Sequence, residues 1–168
     1  IVAGGFITSE TPNPVTSVIR RFNTDGSADA SYSVINSGNG AVEALELLAD
    51  GKILIAGNYT TLNSVAQGRI SRLNSDGSID TTFNSANTGA NAIVKDIAVR
   101  TDGKIIIGGE FSTFNGSPMQ RIARLNTDGN LDNTFTNSGT ITNTIVNDVE
   151  LLPDNRILAG STTSTLIN

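Results

Sequence analysis

The sequence predicts an all-β fold, a β-propeller of four-stranded antiparallel blades, from three observations. First, the signature Arg-Phe/Leu-Asn-Ser/Thr-Asp-Gly occurs three times, with 51 residues between Asp25 and Asp76 and 52 between Asp76 and Asp128. Second, Asp-Gly dipeptides separate short aliphatic runs, which is a strong signal for hairpin turns. Third, no segment shows a helical apolar period. Two hairpins in each period of about 52 residues indicate a propeller blade.

The repeat sets the expected boundaries of blades and strands. Internal alignment predicts a partial blade at 1–32, blades at 41–83 and 93–135, and a partial blade at 145–168. A propeller needs about four to eight blades, so we expect an incomplete ring, a piece of a longer chain. The predicted strands lie near 41–48, 52–59, 69–74 and 78–83 in the second unit, and near 93–100, 104–111, 121–126 and 130–135 in the third.

The aliphatic runs predict how the second strand of each blade is packed. Ile53-Leu54-Ile55 and Ile105-Ile106-Ile107 are continuous rather than alternating. This pattern predicts strands that are covered on both faces. The pairs Ala56-Gly57 and Gly108-Gly109 that follow predict close approach of neighbouring backbones.

Composition excludes several classes of function. The 168 residues suit one domain, and they include no cysteine and no histidine. Disulfides, thiolate nucleophiles and histidine general bases are therefore absent. The net charge is −5 with only three lysines, so a basic surface for nucleic acid is not expected. No apolar run approaches the ~20 residues of a membrane helix, so direct membrane insertion is not expected.

The compound motif resembles a known family. Residues 50–57 read Asp-Gly-Lys-Ile-Leu-Ile-Ala-Gly, and residues 68–83 read Gly-Arg-Ile-Ser-Arg-Leu-Asn-Ser-Asp-Gly-Ser-Ile-Asp-Thr-Thr-Phe. This combined motif recurs at 102–109 and 121–135. It resembles the delta-60 repeat, a bacterial β-propeller-like repeat. In the first unit, Ala28 and Tyr32 are variants of the motif. The resemblance implies large secreted or cell-surface proteins, often exported with a C-terminal sorting domain. It implies no catalytic activity and no catalytic residues.

The signature also suggests a calcium loop. Asn74, Asp76, Gly77 and Asp80 would fill positions 3, 5, 6 and 9 of such a loop. Position 1 would be Arg72, whose guanidinium repels a cation, and Arg21 and Arg124 are its counterparts. A hairpin turn stabilised by Asp and Asn oxygens is the favoured interpretation. We therefore expect no metal and no cofactor.

The three signature arginines could form a ligand-binding ring, but a structural role is favoured. An arginine repeated once per blade near repeated aspartates can tie strands or blades by bidentate bonds. The candidate partners are Asp80 and Asp132, or Asp50 and Asp102.

Glutamates outside the repeated positions are the candidates for carboxylate chemistry, since a carboxylate pair is what a glycosidase needs. These are Glu43, Glu46, Glu110 and Glu150. Solvated strand residues are the favoured interpretation, and no enzyme activity is expected in this segment.

The loops that differ between units are the favoured binding surface. The two Asp-Gly turns of a blade should lie on one face, and the loops on the other, where a rigid scaffold usually presents binding residues. If this face binds the partner, charged residues placed at Asn63 and Asn115 should weaken binding. The loops are 6–18, 60–68, 112–120, 33–40, 84–92 and 136–144.

The expected function is a non-enzymatic scaffold or binding module of a secreted or cell-surface bacterial protein. Its partner would be a protein, a glycan, or the export and attachment machinery. The alternative is a propeller hydrolase or lyase whose carboxylates lie partly outside this segment.

Overall fold

The structure is a computed structural model that describes residues 2–7, 16–33, 35, 38–85, 88–136 and 144–162. These ranges contain strands and no helix, so the prediction of an all-β fold is confirmed. Accordingly, they offer no helix with the length and apolarity to cross a membrane. The strands are β1 (Val2–Ile7), β2 (Thr16–Arg21), β3 (Val42–Leu47), β4 (Ile53–Gly57), β5 (Thr61–Leu62), β6 (Val65–Ala66), β7 (Ile70–Leu73), β8 (Val94–Val99), β9 (Ile105–Gly109), β10 (Thr113–Phe114), β11 (Ser117–Pro118), β12 (Ile122–Leu125), β13 (Ile145–Leu151) and β14 (Ile157–Thr162).

Each unit is built on a small antiparallel sheet. In the second unit β4 lies between β3 and β7, and in the third unit β9 lies between β8 and β12 in the same arrangement. The flanking units contribute the two-stranded pairs β1–β2 and β13–β14. Within the described residues these sheets do not close a ring.

The hydrophobic core lies between consecutive sheets. All five residues of β4 are buried. Ile53 and Ile55 belong to a cluster with Ile19 of the first unit, whereas Leu54 belongs to a cluster with Ile107 of the third. Alternate residues of one strand therefore pack on opposite neighbours, which confirms the prediction that this strand is covered on both faces.

The predicted fourth strand of each blade is much shorter than the sequence suggested. At 78–83 only Ile79 pairs with the sheet, through a single bridge to Leu73, and at 130–135 Leu131 bridges Leu125 in the same way. The chain turns away immediately afterwards, because the backbone N–H of Phe83 donates to the carbonyl of Asp80 at 3.2 Å. Aspartates at this position therefore end the strand rather than extend it.

The loops 60–68 and 112–120 are more ordered than predicted. Each contains a short hairpin, β5–β6 and β10–β11. The turn of the second is Asn115-Gly116, with φ values of 49° and 78°, which is the geometry of a type I′ turn. Of the other predicted loops, 8–15 and 137–143 lie outside the described residues, as do 163–168 of the last partial blade.

The signature Asp-Gly turns of the second and third units lie against the preceding unit. The backbone N–H of Asn84 donates to the carbonyl of Asp128 at 2.8 Å. A β-carbon added to Gly129 would lie 2.8 Å from the ring of Phe83. Gly77 lies in the same way against the first unit, whereas Gly26 has nothing within 4 Å of such a carbon. We call the surface of the preceding unit that contacts this turn its seat. In the described residues the seat leaves no room for a side chain at Gly77 or Gly129.

We expect alanine substitutions to separate two losses of folding stability, one from backbone strain at the glycine and one from steric overlap with the preceding unit. Gly26 and Gly129 share a left-handed φ of 86° and 84°, so alanine at either costs about 1 kcal/mol in strain. Gly129→Ala should cost about 1–3 kcal/mol more because of overpacking against Phe83. Urea unfolding of the two variants measures the difference, and equal losses of stability would contradict the described seat.

Candidate functional site

Arg72 connects two units through one guanidinium. Its Nε donates to Asp80 Oδ2 at 2.8 Å within its own unit. Its Nη1 donates to the carbonyl of Thr127, in the turn of the next unit, at 2.6 Å. The guanidinium lies 4.9 Å from the centre of the Phe83 ring, within the range of a cation–π contact. One side chain therefore holds the end of its own sheet and the turn of its neighbour.

Arg21 repeats all of these contacts, and Arg124 repeats those within its own unit. Arg21 Nε donates to Asp29 at 2.8 Å, and its Nη1 donates to the carbonyl of Ser75 at 2.6 Å. Arg124 Nε donates to Asp132 at 2.7 Å. Each guanidinium also lies over an aromatic ring, at 4.7 Å from Tyr32 and 5.1 Å from Phe135.

Two of the four predicted aspartate partners are therefore confirmed. Asp80 and Asp132 bind the arginines. Asp50 and Asp102 instead accept the backbone N–H groups of Lys52 and Lys104 two residues later, both at 3.1 Å. They shape the first turn of each unit and do not reach Arg72 or Arg124.

Asp80 is a buried carboxylate whose oxygens are fully engaged. Its side chain is only 5% exposed. Oδ2 accepts from Lys52 Nζ at 2.8 Å as well as from Arg72, and Oδ1 accepts from the Thr82 backbone N–H and hydroxyl. Burial alone would raise the pKa of Asp80, but the hydrogen bonds from Lys52, Thr82 and Arg72 outweigh it and hold that pKa well below its usual range.

Asp132 in the third unit has the equivalent partners. Hydrogen bonds from Lys104 and Thr134, with a further one from Arg124, hold its pKa well below the ordinary value despite the opposing effect of burial. Two cations thus share each of these buried carboxylates. The pattern is that of a structural ion-pair network rather than of a free acid or base.

The Asp76 oxygen Oδ1, a candidate calcium ligand, accepts hydrogen bonds within the turn instead. Asp76 Oδ1 accepts the backbone N–H of Ser78 at 2.9 Å and its hydroxyl at 2.6 Å. The amide nitrogen of Asn74, not its oxygen, faces Ser78 Oγ at 3.0 Å. In the described ranges no group of three or more His, Cys, Asp or Glu side chains is placed to hold a metal ion. This geometry fits the hairpin-turn interpretation.

A groove of about 510 Å³ runs across the first strands of three units. It is lined by β3, β8 and β13, and its carboxylates come from Glu43, Glu46, Asp96, Asp148 and Glu150. Stacking of the units therefore brings together acidic residues that lie about 50 or more residues apart in the sequence.

The carboxylates of this groove influence one another. Burial raises the pKa of Glu46, and the nearby charges of Asp96 and Glu150 raise it further. The pKa of Asp96 is also raised, chiefly by burial, although the Val149 backbone N–H donates to its Oδ2 at 2.8 Å and opposes the shift. Raised carboxylate pKa values are a feature that acid–base sites share with purely structural clusters.

The sequence analysis found only part of this groove. Glu43, Glu46 and Glu150 line it, whereas the fourth candidate, Glu110, pairs with Lys95 at 3.2 Å. Asp96 and Asp148 were missed, together with their contact across units. Their equivalent positions in consecutive first strands were the available signal.

The predicted binding loops 60–68 and 112–120 have the same hairpin backbone but different side chains. At the tip of β5–β6 the exposed residues include Val65 and Ala66, and the equivalent positions in β10–β11 are Ser117 and Pro118. Val65 is 46% exposed. The tip is therefore a fixed platform with variable chemistry, which is the usual design of a binding loop.

The two asparagines chosen as reporters of this surface are turn residues. Asn63 and Asn115 have φ values of 46° and 49°, a conformation that asparagine tolerates better than most residues. Asn115 Oδ1 accepts the Gly89 N–H at 2.7 Å, and its Nδ2 donates to Asn84 Oδ1 at 2.9 Å. Substitution there would disturb the fold, so Val65 and Ala66 are the better reporters.

Stacked antiparallel sheets joined by a repeated arginine contact define the chain as a repeat-built all-β protein. A scan of protein families identifies the repeat: the model described as "Domain of unknown function (DUF5122) beta-propeller" matches residues 1–32, 48–83 and 100–135. The match covers more than half of the chain, and the protein belongs to this β-propeller family. The prediction of a propeller-type repeat is thereby confirmed. A search of curated proteins finds no match.

We expect Arg72→Ala to destabilise the protein by about 2 kcal/mol or more, because it leaves Asp80 buried with one cation fewer. Arg156→Ala is the matched control, since Arg156 and Asp154 form an exposed pair with 76% and 53% of their side chains accessible. An exposed pair contributes about 0–1 kcal/mol. Chemical unfolding should separate the two variants, and equal stabilities would show that the Arg72 contact contributes little.

Stability should also fall in acid because of Asp80 and Asp132. Their folded-state pKa values lie below the ordinary value of about 3.9. Their contribution is therefore complete above that pH and is lost as the pH falls toward the folded-state value. Glu46 and Asp96, with raised pKa values, act in the opposite sense. Melting curves between about pH 7 and 2 should show a shallower acid loss for Asp80→Asn than for the exposed control Asp154→Asn.

Proposed function

We propose that the chain is a non-enzymatic scaffold that binds its partner through the tips of the hairpins β5–β6 and β10–β11. The observation that supports this most directly is the contrast between the two faces. The polar signature residues are used in contacts between and within units, whereas the tips place different side chains on the same backbone.

The hairpins are held firmly enough to present a defined surface. Asn91 Oδ1 accepts the backbone N–H groups of Ser112 and Thr113 at 2.8 and 3.0 Å, at the start of β10. Asn39 Oδ1 accepts those of Thr60 and Thr61 at the start of β5, at 2.7 and 3.0 Å. A preorganised loop loses less conformational entropy on binding than a mobile one.

The finer architecture belongs to the same proposal. We propose delta-60 repeats with a period of about 52 residues, in four-stranded blades whose outermost strand is shortened to the bridge at Ile79 or Leu131. The setting is a large secreted or cell-surface bacterial protein. The partner is a protein, a glycan, or the machinery of export and attachment.

A second candidate is a hydrolase or lyase, and the acidic groove is the observation that favours it. Glu46 and Asp96 have raised pKa values and line the same groove. A carboxylic acid of raised pKa beside a carboxylate is the arrangement that glycosidases use. Release of product from chromogenic glycosides, lost in Asp96→Asn, would favour this candidate over the scaffold.

The scaffold proposal is tested by placing charge on one face at a time. The purified chain is applied to arrays of glycans and of extracellular proteins, and any ligand is then measured against Val65→Glu/Ala66→Glu and against Thr101→Glu. Thr101 is an exposed residue of the opposite, turn face. We expect the tip variant to bind about tenfold more weakly or worse and Thr101→Glu to bind normally. The reverse pattern would place the binding surface on the turns.

A further inference from the structure

The third and fourth units meet through a carboxylate that binds a backbone group of its neighbour. Asp96 Oδ2 accepts the backbone N–H of Val149 at 2.8 Å, from β8 to β13. The carboxyl group of Asp148 is a hydrogen-bond partner of the same Asp96 side chain. Two carboxyl groups can share a hydrogen bond only when one of them holds a proton, because ionised carboxylates accept and never donate. We call the three groups at Asp96, Asp148 and Val149 the groove contact.

A β-bulge in each first strand places the two aspartates. The pairing of β8 with β9 shifts register between Val94 and Asp96, and the pairing of β13 with β14 shifts between Val146 and Asp148. A bulge bends the strand and re-aims the side chains beside it. Asp96 and Asp148 therefore occupy the same position of consecutive first strands, and both line the groove of about 510 Å³.

The charges that face Asp96 are acidic. None of the described residues that line the groove is a lysine or an arginine. Lys95, the neighbour of Asp96 in the sequence, pairs with Glu110 at 3.2 Å. The strands β4 and β9, which also pack against β8, carry no charged residue. The charged residues of the remaining strands packed against β8 are Glu43 and Glu46 of β3, and Asp148 and Glu150 of β13.

These surroundings favour the protonated form of Asp96. Burial is the largest cause of its raised pKa, and the charge and carboxyl group of Asp148 raise that pKa further. The backbone N–H groups of Val149 and Ile97 oppose the shift, because they bind the ionised form. The balance is a raised pKa, so Asp96 retains a proton at a pH at which an ordinary aspartate has lost it.

The fold does not require an aspartate at this position. In the second unit the counterpart of Asp96 is Ala44, whose side chain cannot accept a hydrogen bond from the third unit. The strands β3 and β8 nevertheless pack together, with Ala44 against the core between the second and third units. Packing of the first strands alone therefore does not account for Asp96.

We propose that the groove contact is a proton-dependent junction, which holds the third and fourth units together along the groove while Asp96 and Asp148 share one proton and loosens when both are ionised. With the proton bound, Asp96 binds both Asp148 and the Val149 N–H. With the proton lost, adjacent negative charges repel across the junction. Arg100 Nη1 donates to the carbonyl of Asn155 at 3.3 Å, and this contact at the turns does not involve the proton. The groove therefore widens while the turns of the two units stay in contact.

The proposal is tested by NMR of the ¹⁵N-labelled chain between about pH 4 and pH 8. The Val149 amide shift should titrate with a midpoint above about 3.9, the ordinary value for aspartate. Hydrogen exchange of this amide, corrected for the intrinsic rate, should be slowest below the midpoint. It should become faster as the pH rises, by up to about tenfold for each unit between 3.9 and the midpoint. A midpoint at or below 3.9, or protection that does not change across it, would overturn the proposal.

Two variants separate a shared proton from simple burial of Asp96. Asp148→Asn keeps a hydrogen-bond donor beside Asp96 and removes one charge, so the midpoint should fall and the protection of Val149 should no longer depend on pH over this range. Asp154→Asn, which changes an exposed carboxylate of the fourth unit, is the control and should keep the original midpoint. Melting curves confirm that both variants fold. If Asp148→Asn also keeps the original midpoint, the proton belongs to Asp96 alone and the proposal is wrong.

Discussion

The contact of one guanidinium with three groups is the interaction on which the stack of sheets depends. Arg72 reaches a carboxylate in its own unit, a ring beneath it and a carbonyl in the next unit. Arginine can do this because its planar fork directs separate N–H groups toward separate acceptors and its flat face lies on an aromatic ring. A lysine has a single charged nitrogen and could not satisfy all three. The core between the sheets and the seat of each turn follow from this alignment.

The same contact explains why residues that resemble a site are structural. An acidic turn with an adjacent arginine occurs three times in the sequence and resembles a metal-binding or ligand-binding loop. Both carboxylate oxygens of Asp80, and Oδ1 of Asp76, nevertheless accept hydrogen bonds from the chain itself. The arginine contacts between units leave two surfaces available for a partner. These are the hairpin tips around Val65 and the groove beside Glu46.

Features with local causes could be predicted from the sequence, and features that depend on stacking could not. The Asp-Gly turns and the buried strand β4 follow from a dipeptide and an aliphatic run. The shortness of the fourth strand could not be predicted from the sequence. Residues 78–83 have a pattern that fits a strand, but the backbone N–H groups of Thr82 and Phe83 donate to Asp80 and form a turn instead. The hairpin β10–β11 had a signal in Asn115-Gly116 that was not used. The groove required knowing which first strands become neighbours, so Asp96 was missed.

The contact of a signature arginine with a turn carbonyl reaches only the adjacent unit, and it has the same form at the two junctions where the described residues show it. Stability is then close to a sum of unit and junction terms. A segment of the gene that encodes one unit could therefore be duplicated or deleted as a block, because the new neighbours would meet across the same arginine, aspartate and glycine turn. Array length and tip chemistry are thereby free to change independently. A lineage could lengthen such a protein, or diversify what it presents, without redesigning the way its units meet.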